Sequence, residues 1–184
     1  SLAYELLRAD RESDAEKLAE ELERANGDRQ RATEEIMEEA RTFISRNGTG
    51  PASVVWGDWS VGLVGLVAGK LMEELDKPSF VIGKMNGQWT GSSRGPEGFH
   101  CVNMLSEVRT LLDHFGGHAQ AAGFSVKTVE LAALADALHE AGSKALAAAE
   151  DDPVASAEVA RTTIASGIVL STVAAASAPI TWPI

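Results

Sequence analysis

The spacing of hydrophobic and polar positions first predicts one long helix. From Asp10 to about Ile44, apolar residues recur every three or four positions, which is the period of an amphipathic α-helix. Such a helix would be roughly 50 Å long at 1.5 Å per residue. Gly27 lies inside it and predicts a break or a bend. Either this helix covers one face of a domain, or it connects that domain to another one.

Shorter apolar runs follow, and turn residues separate them. The predicted elements are, in order, a strand, a helix, a hairpin, a helix, a strand and a helix, over residues 52–58, 59–75, 77–93, 102–114, 119–126 and 128–150. Asp58 or Ser60 would cap the first of these helices and Thr128 the last. Asn86-Gly87 is typical of a two-residue hairpin turn. This alternation predicts an α/β fold, a layered domain with a central mixed sheet flanked by helices and preceded by the long helix.

Composition narrows the class of protein. The chain has 184 residues, of which 45% are hydrophobic and 23% charged, as is usual for a globular domain. Cys101 is the single cysteine, so an intrachain disulfide and a zinc site of several thiolates are both excluded. We therefore expect a reducing, cytoplasmic setting. The sequence also lacks an apolar run of roughly 18 residues and a signal-peptide pattern, so no membrane partner is expected.

The net charge of −11 argues against a general nucleic-acid-binding protein, because phosphates are neutralised by Lys and Arg. The charge is unevenly distributed. Residues 1–49 carry 13 acidic and 8 basic residues, and residues 128–184 carry 7 and 2. Residues 50–127 carry 7 and 6, so this middle segment is the part where a polyanion would meet the least repulsion.

Three glycines lie on one face of the helix predicted over residues 59–75. Gly62, Gly65 and Gly69 are spaced three and four apart, and together they cost a helix roughly 2 to 3 kcal/mol relative to alanine. Close packing of another backbone or a ligand on the helix would offset this cost. We interpret the pattern as close packing.

Two further clusters could bind an anion. Ser92, Ser93 and Arg94 offer two hydroxyls and a forked guanidinium, which suits a phosphate, although a surface turn with a solvated arginine has the same pattern. Gly116-Gly117 can leave backbone N–H groups uncovered beside the donor His118. From spacing alone, a helix C-cap with a core histidine is the slightly favoured interpretation of this second cluster, and Asp113-His114 then forms a helix-end pair.

Four segments together resemble one known family. "FGGHAQAAGFSV" (115–126) is similar to the glycine-glycine-histidine and alanine-alanine-glycine signature of the DHH-associated C-terminal domain in the DHH phosphoesterase superfamily. The segments 22–40, 59–71 and 91–99 resemble, in the same order and spacing, the linker helix, the glycine-rich helix and the arginine turn of RecJ-type exonucleases. The resemblance covers about residues 10–150 well and the remainder loosely.

The resemblance implies an organisation and a function. Residues 1–49 would be the connector helix from a missing N-terminal catalytic DHH domain, and residues 50–150 the DHH-associated substrate-binding domain. Residues 151–184, with one strand and one helix, would begin a truncated segment leading to an OB-type domain. The chain would bind the phosphates of single-stranded DNA for a 5′-3′ exonuclease, whose catalytic residues and Mn²⁺ or Mg²⁺ ions belong to the missing domain. This chain itself would bind no cofactor and cut nothing.

The expected site residues follow from the same motifs. Those implied for phosphate binding are Ser92, Ser93, Arg94, Gly116, Gly117 and His118, and the candidates for base stacking are Trp59 and Phe124. Single-strand preference would come from this stacking and from a channel too narrow for a duplex. The family usually has histidine, glycine and serine where this chain has Ser60, Ser93 and Gly95, which leaves the contacts near Ser60 and Gly95 open.

Two other functions remain open at this stage. The chain contains no Asp-rich or Asp-His-His motif, and its four histidines form no convincing metal-binding set. A DHH-family phosphodiesterase for short oligonucleotides or cyclic dinucleotides would use a similar loop. A nuclease-dead replication or repair scaffold would retain the fold without catalysis.

Overall fold

The computed structural model of the protein describes residues 1–127 and 131–150 and contains one five-stranded sheet between helices. The helices are α1 Leu2–Leu7, α2 Glu12–Asn47, α3 Val61–Leu75, α4 Cys101–Glu107 and α5 Leu131–Glu150, with a 3₁₀ turn at Arg109–Leu111. The strands are β1 Ser53–Trp56, β2 Ser79–Met85, β3 Gln88–Arg94, β4 Leu112–Gly117 and β5 Ala121–Val126. No helix in the described ranges is long and apolar enough to cross a membrane.

The sheet is mixed, as the sequence predicts. Its strand order is β1-β2-β3-β5-β4, in which β1 runs parallel to β2 and the other neighbours are antiparallel. Helix α3 makes the crossover between the two parallel strands, which a tight turn could not make. The predicted α/β fold with a central mixed sheet, flanking helices and a long N-terminal helix is therefore confirmed.

Each face of the sheet carries its own hydrophobic core. On one face, α2 and α3 pack on β1 and β2 around Met37, Leu71 and Val81, all of which are buried. On the other face, α4 and α5 pack around Phe80 and Leu138, which are also buried. Burial of side chains of this size stabilises a fold by about 1.5 to 3 kcal/mol each. The sheet therefore lies between two hydrophobic cores.

The long helix is uninterrupted. Helix α2 continues through Gly27, so the break predicted there is absent, and a Cβ at Gly27 would have no neighbour within 4 Å. The buried residues of α2 all lie in its C-terminal half: Thr33, Ile36, Met37 and Ala40. Helix α1 packs against α2. The C-terminal half of α2 is therefore an integral part of the domain that contains the sheet.

A surface ion cluster joins α2 to α3. Arg41 Nη2 donates to Glu74 Oε2 of α3 at 2.8 Å, and Arg41 Nη1 donates to Glu34 and Glu38 on its own helix. Lys70 of α3 lies 3.4 Å from Glu34. The hydrogen bonds to Arg41 are the main cause that lowers the pKa values of Glu34 and Glu74. Because these groups are largely exposed, the cluster orients α2 on α3 more than it stabilises the fold.

The helix predicted over residues 102–114 is wrong in its second half. Helix α4 ends at Glu107, and residues 112–117 form strand β4 instead. The apolar residues of this stretch recur with a helix-like spacing, but pairing with β5 satisfies the backbone of β4 in an extended form. The interpretation of Asp113-His114 as a helix-end pair is wrong for the same reason.

The predicted helix caps have different outcomes. Ser60 occupies the N-cap position of α3, but its side chain makes no capping hydrogen bond. Thr128 and the strand and helix predicted after Asp152 lie outside the described residues. The predicted turn at Asn86-Gly87 is confirmed, because both residues have positive φ values, of 53° and 81°.

Lowering the pH from about 7 to about 5.5 is expected to destabilise this fold through His139 of α5. Its ring packs over Gly50, where a Cβ would lie only 2.9 Å from Cδ2, and burial lowers the pKa of the imidazole. The unfolded chain therefore takes up the proton first, near pH 6.5, and the free energy of unfolding falls below that pH. The slope cannot exceed about 1.4 kcal/mol per pH unit for one proton.

Urea denaturation at several pH values measures this slope. The carboxylates of Glu34 and Glu74 have lowered pKa values, so they lose their contribution only at more acidic pH than this window. In a His139→Gln variant the fall in stability should disappear. An equal fall in the variant would show that another group causes it.

Candidate nucleic-acid interface

The strand register brings the two predicted anion-binding clusters to one end of the sheet. Arg94, the last residue of β3, is paired with Ala121 at the start of β5. Gly117, the last residue of β4, is paired with the adjacent Ala122. Since neighbouring strands are about 4.8 Å apart, the backbones of β3 and β4 lie roughly 10 Å from each other. The arginine turn and the Gly-Gly-His segment are thus neighbours, although 22 positions separate Arg94 from Gly116.

Backbone hydrogen bonds fix the loop that contains His118. His118 N donates to Ala121 O at 2.8 Å, which closes the turn between β4 and β5. Gly95 N donates to Gln120 O at 3.0 Å, and Cys101 N donates to Ala119 O at 2.6 Å. The segment after Arg94 is therefore tied directly to the loop His118–Gln120. These bonds keep the backbone that follows Arg94 close to the loop of the exposed His118.

Arg94 lies between β3 and α3. Its Nη1 donates to the carbonyl oxygen of Ser93 at 2.8 Å, and its side chain is half-buried. Its Nη2 approaches α3 so closely that a Cβ at Gly65 would be only 3.2 Å away. None of the ion pairs within the described part of the chain includes Arg94. The guanidinium is thus held in place without having its charge neutralised by a carboxylate.

Ser92 and Ser93 face opposite sides of the sheet, as adjacent strand residues must. Ser92 shares the α3 face with Arg94, since its side chain would contact a Cβ at Gly65. Ser93 is fully buried on the other face, where its hydroxyl donates to Ala122 O at 3.3 Å and also hydrogen-bonds the thiol of Cys101. Its expected contact with a phosphate is therefore contradicted by its burial, whereas Ser92 remains a candidate.

Of the two adjacent glycines, the fold requires Gly117 but not Gly116. Gly117 has a φ of 151°, and a Cβ there would lie 2.4 Å from Ala121 O. The fold itself therefore requires glycine at this position. Gly116 has an ordinary φ, and a Cβ there would have no neighbour within 4 Å. Both residues belong to strand β4, so the interpretation as a helix C-cap is wrong.

An open strip of sheet lies beside the predicted residues. Gly116 is paired with Gly123, which in turn is paired with Ser92, so these three residues share the α3 face. Gly116 and Gly123 are both exposed, and a Cβ at Gly123 would meet only Gly91 O, at 3.9 Å. Strand glycines that packing does not require allow another molecule to approach the backbone closely. Gly123 is not among the residues predicted from the sequence, although a glycine inside an otherwise apolar strand is a signal of close backbone approach.

The two aromatic residues expected to stack on bases are buried. Trp59 is 6% exposed in the core under α3, and its Nε1 donates to Glu39 Oε2 at 2.7 Å. Phe124 is 3% exposed in the other core, where its ring lies against Gly91. A base needs an open ring face, so this burial contradicts the stacking role of both residues.

The glycines of α3 are explained only in part. Gly65 packs closely, but against the side chains of Ser92 and Arg94 rather than against another backbone. Gly69 has no neighbour within 4 Å of its Cβ position, and Gly62 has only Ser60 Oγ at 3.7 Å. The predicted close packing therefore applies to Gly65 and not to the other two.

No metal centre is found in the part of the chain that the structure describes, where no three His, Cys, Asp or Glu side chains form a group able to hold an ion. Cys101 is buried behind β3, and this burial raises the pKa of its thiol, so it stays protonated at neutral pH. The side chains available here can donate to an anion: the guanidinium of Arg94, the imidazole of His118 and the hydroxyl of Ser92.

Comparison with known proteins identifies the domain family and several relatives of this chain. The family model of the DHHA1 domain matches residues 49–172. The single-stranded-DNA-specific exonuclease RecJ of Bacillus subtilis is 33% identical over 156 residues, which are 83% of this chain and 20% of that protein. The enzyme of the same name from Escherichia coli is 29% identical over 138 residues, 69% of this chain and 24% of that protein. The chain thus spans about a fifth to a quarter of these relatives.

Solved structures give the same result. The crystal structure of RecJ from Thermus thermophilus in complex with Mg²⁺ matches with a TM-score of 0.69 and 26% identity, over 78% of this chain and 22% of that one. Its Mn²⁺ complex matches equally well, with 21% of that chain covered. Since the family model covers well over half of the sequence, this chain belongs to the DHHA1 domain family.

Proposed function

We propose that this chain is the substrate-binding part of a RecJ-like exonuclease, in which it grips the phosphates of single-stranded DNA. The observation that carries the proposal is the convergence of Arg94 with the loop His118–Gln120, which two backbone hydrogen bonds tie to residues 95 and 101. These elements come from distant parts of the sequence and meet at one end of the sheet. The relatives are exonucleases specific for single-stranded DNA by name, which supports the choice of ligand.

The chemistry of the site suits a phosphodiester. The guanidinium of Arg94 can offer two parallel N–H donors to one phosphate, and the exposed imidazole of His118 adds a third donor. The exposed glycines Gly116 and Gly123 leave the backbone open to close approach. Residues 50–127 are nearly neutral, whereas both flanking segments are strongly acidic. A polyanion would therefore be guided to the middle segment and repelled elsewhere.

We assign phosphodiester hydrolysis to a separate DHH domain of the same protein. The described residues offer no ligand set for Mg²⁺ or Mn²⁺, so they do not fit the ions found in the Thermus structures, and no catalytic step is assigned to them. The contribution of this chain is to position the DNA strand relative to the catalytic domain. Two or more donors on one phosphate fix where the strand lies and therefore which bond the catalytic domain meets.

Strand-selective binding tests this function. The full-length protein, kept free of divalent metal so that nothing is cut, is titrated with 5′-phosphorylated single strands and with duplexes of the same length. We expect tighter binding to the single strand, and a loss of affinity with rising salt that reflects released counterions. Equal or tighter binding to the duplex would contradict the proposal. Tight binding that is limited to a cyclic dinucleotide would indicate the phosphodiesterase alternative instead.

A matched activity assay separates the roles of the two domains. The 184-residue chain alone, incubated with labelled single-stranded DNA and Mn²⁺, should leave the DNA intact. Degradation that survives repurification and disappears in a His118→Ala variant would contradict this division of labour.

A further inference from the structure

Gly65 of α3 lies directly against the guanidinium of Arg94. A Cβ at Gly65 would lie 3.2 Å from Arg94 Nη2 and 3.5 Å from Ser92 Oγ. The first distance is shorter than nine in ten Cβ contacts in proteins, so the neighbour would have to move by a few tenths of an ångström. The neighbour is the far end of a flexible side chain, so the arginine would yield before the helix or the sheet did.

The backbone of α3 does not itself need glycine at this position. Gly65 has an ordinary helical φ, and glycine in a helix interior costs about 1 kcal/mol relative to alanine. Gly69 lies one turn further along the same helix, and a Cβ there would meet nothing within 4 Å. The two glycines therefore carry the same propensity cost, but only Gly65 has a neighbour that a methyl group would displace.

Arg94 is confined from two sides. Its Nη1 is held by the carbonyl oxygen of Ser93 at 2.8 Å, and its Nη2 lies over Gly65. The next residue, Gly95, donates to the loop that follows His118. The orientation of the guanidinium relative to this loop thus depends on the space that Gly65 leaves open.

We propose that Gly65 is a positioning residue for Arg94: its missing side chain leaves the space in which the guanidinium is aligned for a backbone phosphate of the strand. This inference rests on the proposed function, since it assumes that Arg94 contacts a phosphate. Gly65 itself touches no ligand and acts only through Arg94.

The test compares Gly65→Ala with Gly69→Ala in the full-length protein. Both changes should leave the melting temperature unchanged or raise it, because alanine favours a helix. With a 5′-phosphorylated single-stranded oligonucleotide as the probe and no divalent metal present, Gly65→Ala should weaken binding roughly 3- to 10-fold, since a group displaced by a fraction of an ångström loses aligned hydrogen bonds. Gly69→Ala should bind like the parent protein.

A double-mutant cycle tests whether Gly65→Ala weakens binding through Arg94. In an Arg94→Ala background, Gly65→Ala should cause no further loss of affinity, because the residue through which it acts is gone. A full additional loss there would overturn the inference, because Gly65 would then act independently of Arg94. Unchanged binding by the single Gly65→Ala variant would overturn it as well.

The NMR signal of the Arg94 side chain provides a readout that does not depend on affinity. The Nε–H resonance of Arg94 should shift in the ligand-free Gly65→Ala protein and stay in place in Gly69→Ala. An unmoved resonance in Gly65→Ala would contradict a positioning role. If instead Arg94→Ala binds the oligonucleotide like the parent, the proposed function fails, and this inference fails with it.

Discussion

Gly117→Ala will destabilise the protein severely, whereas Gly116→Ala will leave its stability almost unchanged. The two glycines are adjacent and both exposed, yet only Gly117 has a φ of 151° and a Cβ position 2.4 Å from Ala121 O and 2.6 Å from Ala122 Cα. Strained backbone and overpacking each cost about 1 to 3 kcal/mol, and here they act together. At Gly116 the added methyl group meets no atom within 4 Å, so we expect a change within about 0.5 kcal/mol.

Urea denaturation of the two variants beside the parent measures this difference. Each variant adds one methyl group to the same strand, so each is the control for the other. Equal midpoints for both would show that the hairpin between β4 and β5 tolerates a side chain at Gly117. The close approach of this strand to Ala121 and Ala122 would then not constrain the sequence.

Arg94→Ala should weaken binding of single-stranded DNA by roughly 10- to 100-fold with little change in melting temperature. A hydrogen bond to a charged group is worth about 1.5 to 3 kcal/mol, and about 1.4 kcal/mol is a factor of ten in affinity. The side chain is half-buried at the end of the central strand β3 and belongs to neither core. Its removal also takes away one phosphate contact, so the log–log salt slope should fall by about 0.7.

The controls for this variant use the same protein. Arg109→Ala removes an equal charge from the exposed 3₁₀ turn that precedes β4, away from the loop of His118, and should retain nearly all the affinity. His118→Ala should weaken binding, and its combination with Arg94→Ala should be less than additive, because groups that hold one phosphate act as a unit. An equal loss of affinity in Arg94→Ala and Arg109→Ala would contradict a specific contact, because Arg94 would then act only through its positive charge.

The layers and the hairpin could be predicted because they depend on local information. The pair Asn86-Gly87 has the left-handed backbone that a two-residue hairpin turn needs, and few other residues adopt it readily. The period of apolar residues in α2 and α3 is likewise a local signal of which face is buried. The family resemblance added the choice of ligand, which no local pattern supplies.

The prediction of a helix over residues 102–114 is wrong in its second half, because the conformation of that half depends on residues far along the chain. Leu112 and Phe115 fit a helical period, but in the structure they pair with Val126 and Phe124 of β5. A pairing partner further along the chain is invisible to a periodicity argument, and pairing overrides the propensity of a short segment.

The structure brings the predicted residues together at one end of the sheet, but it does not leave all of them accessible to a ligand. The burial of Ser93 follows from strand alternation, yet the face of each residue is known only once the register with β2 and β5 is known. Trp59 and Phe124 were proposed for their ring chemistry alone, and their burial depends on the packing of α3 and on the glycine at position 91. Three-dimensional contacts of this kind decide which of several suitable side chains a ligand can reach.

Mapping the residues that a single strand contacts would show whether this end of the sheet is the binding surface. The ¹⁵N-labelled chain is titrated with a 5′-phosphorylated single-stranded oligonucleotide, and the changes in its NMR signals are followed residue by residue. We expect the largest changes on the backbone amides of Gly116, His118 and Gly123 and on the Nε–H group of Arg94. Changes confined to α5, or to the helix pair α1 and α2, would contradict the claim that this end of the sheet binds the strand.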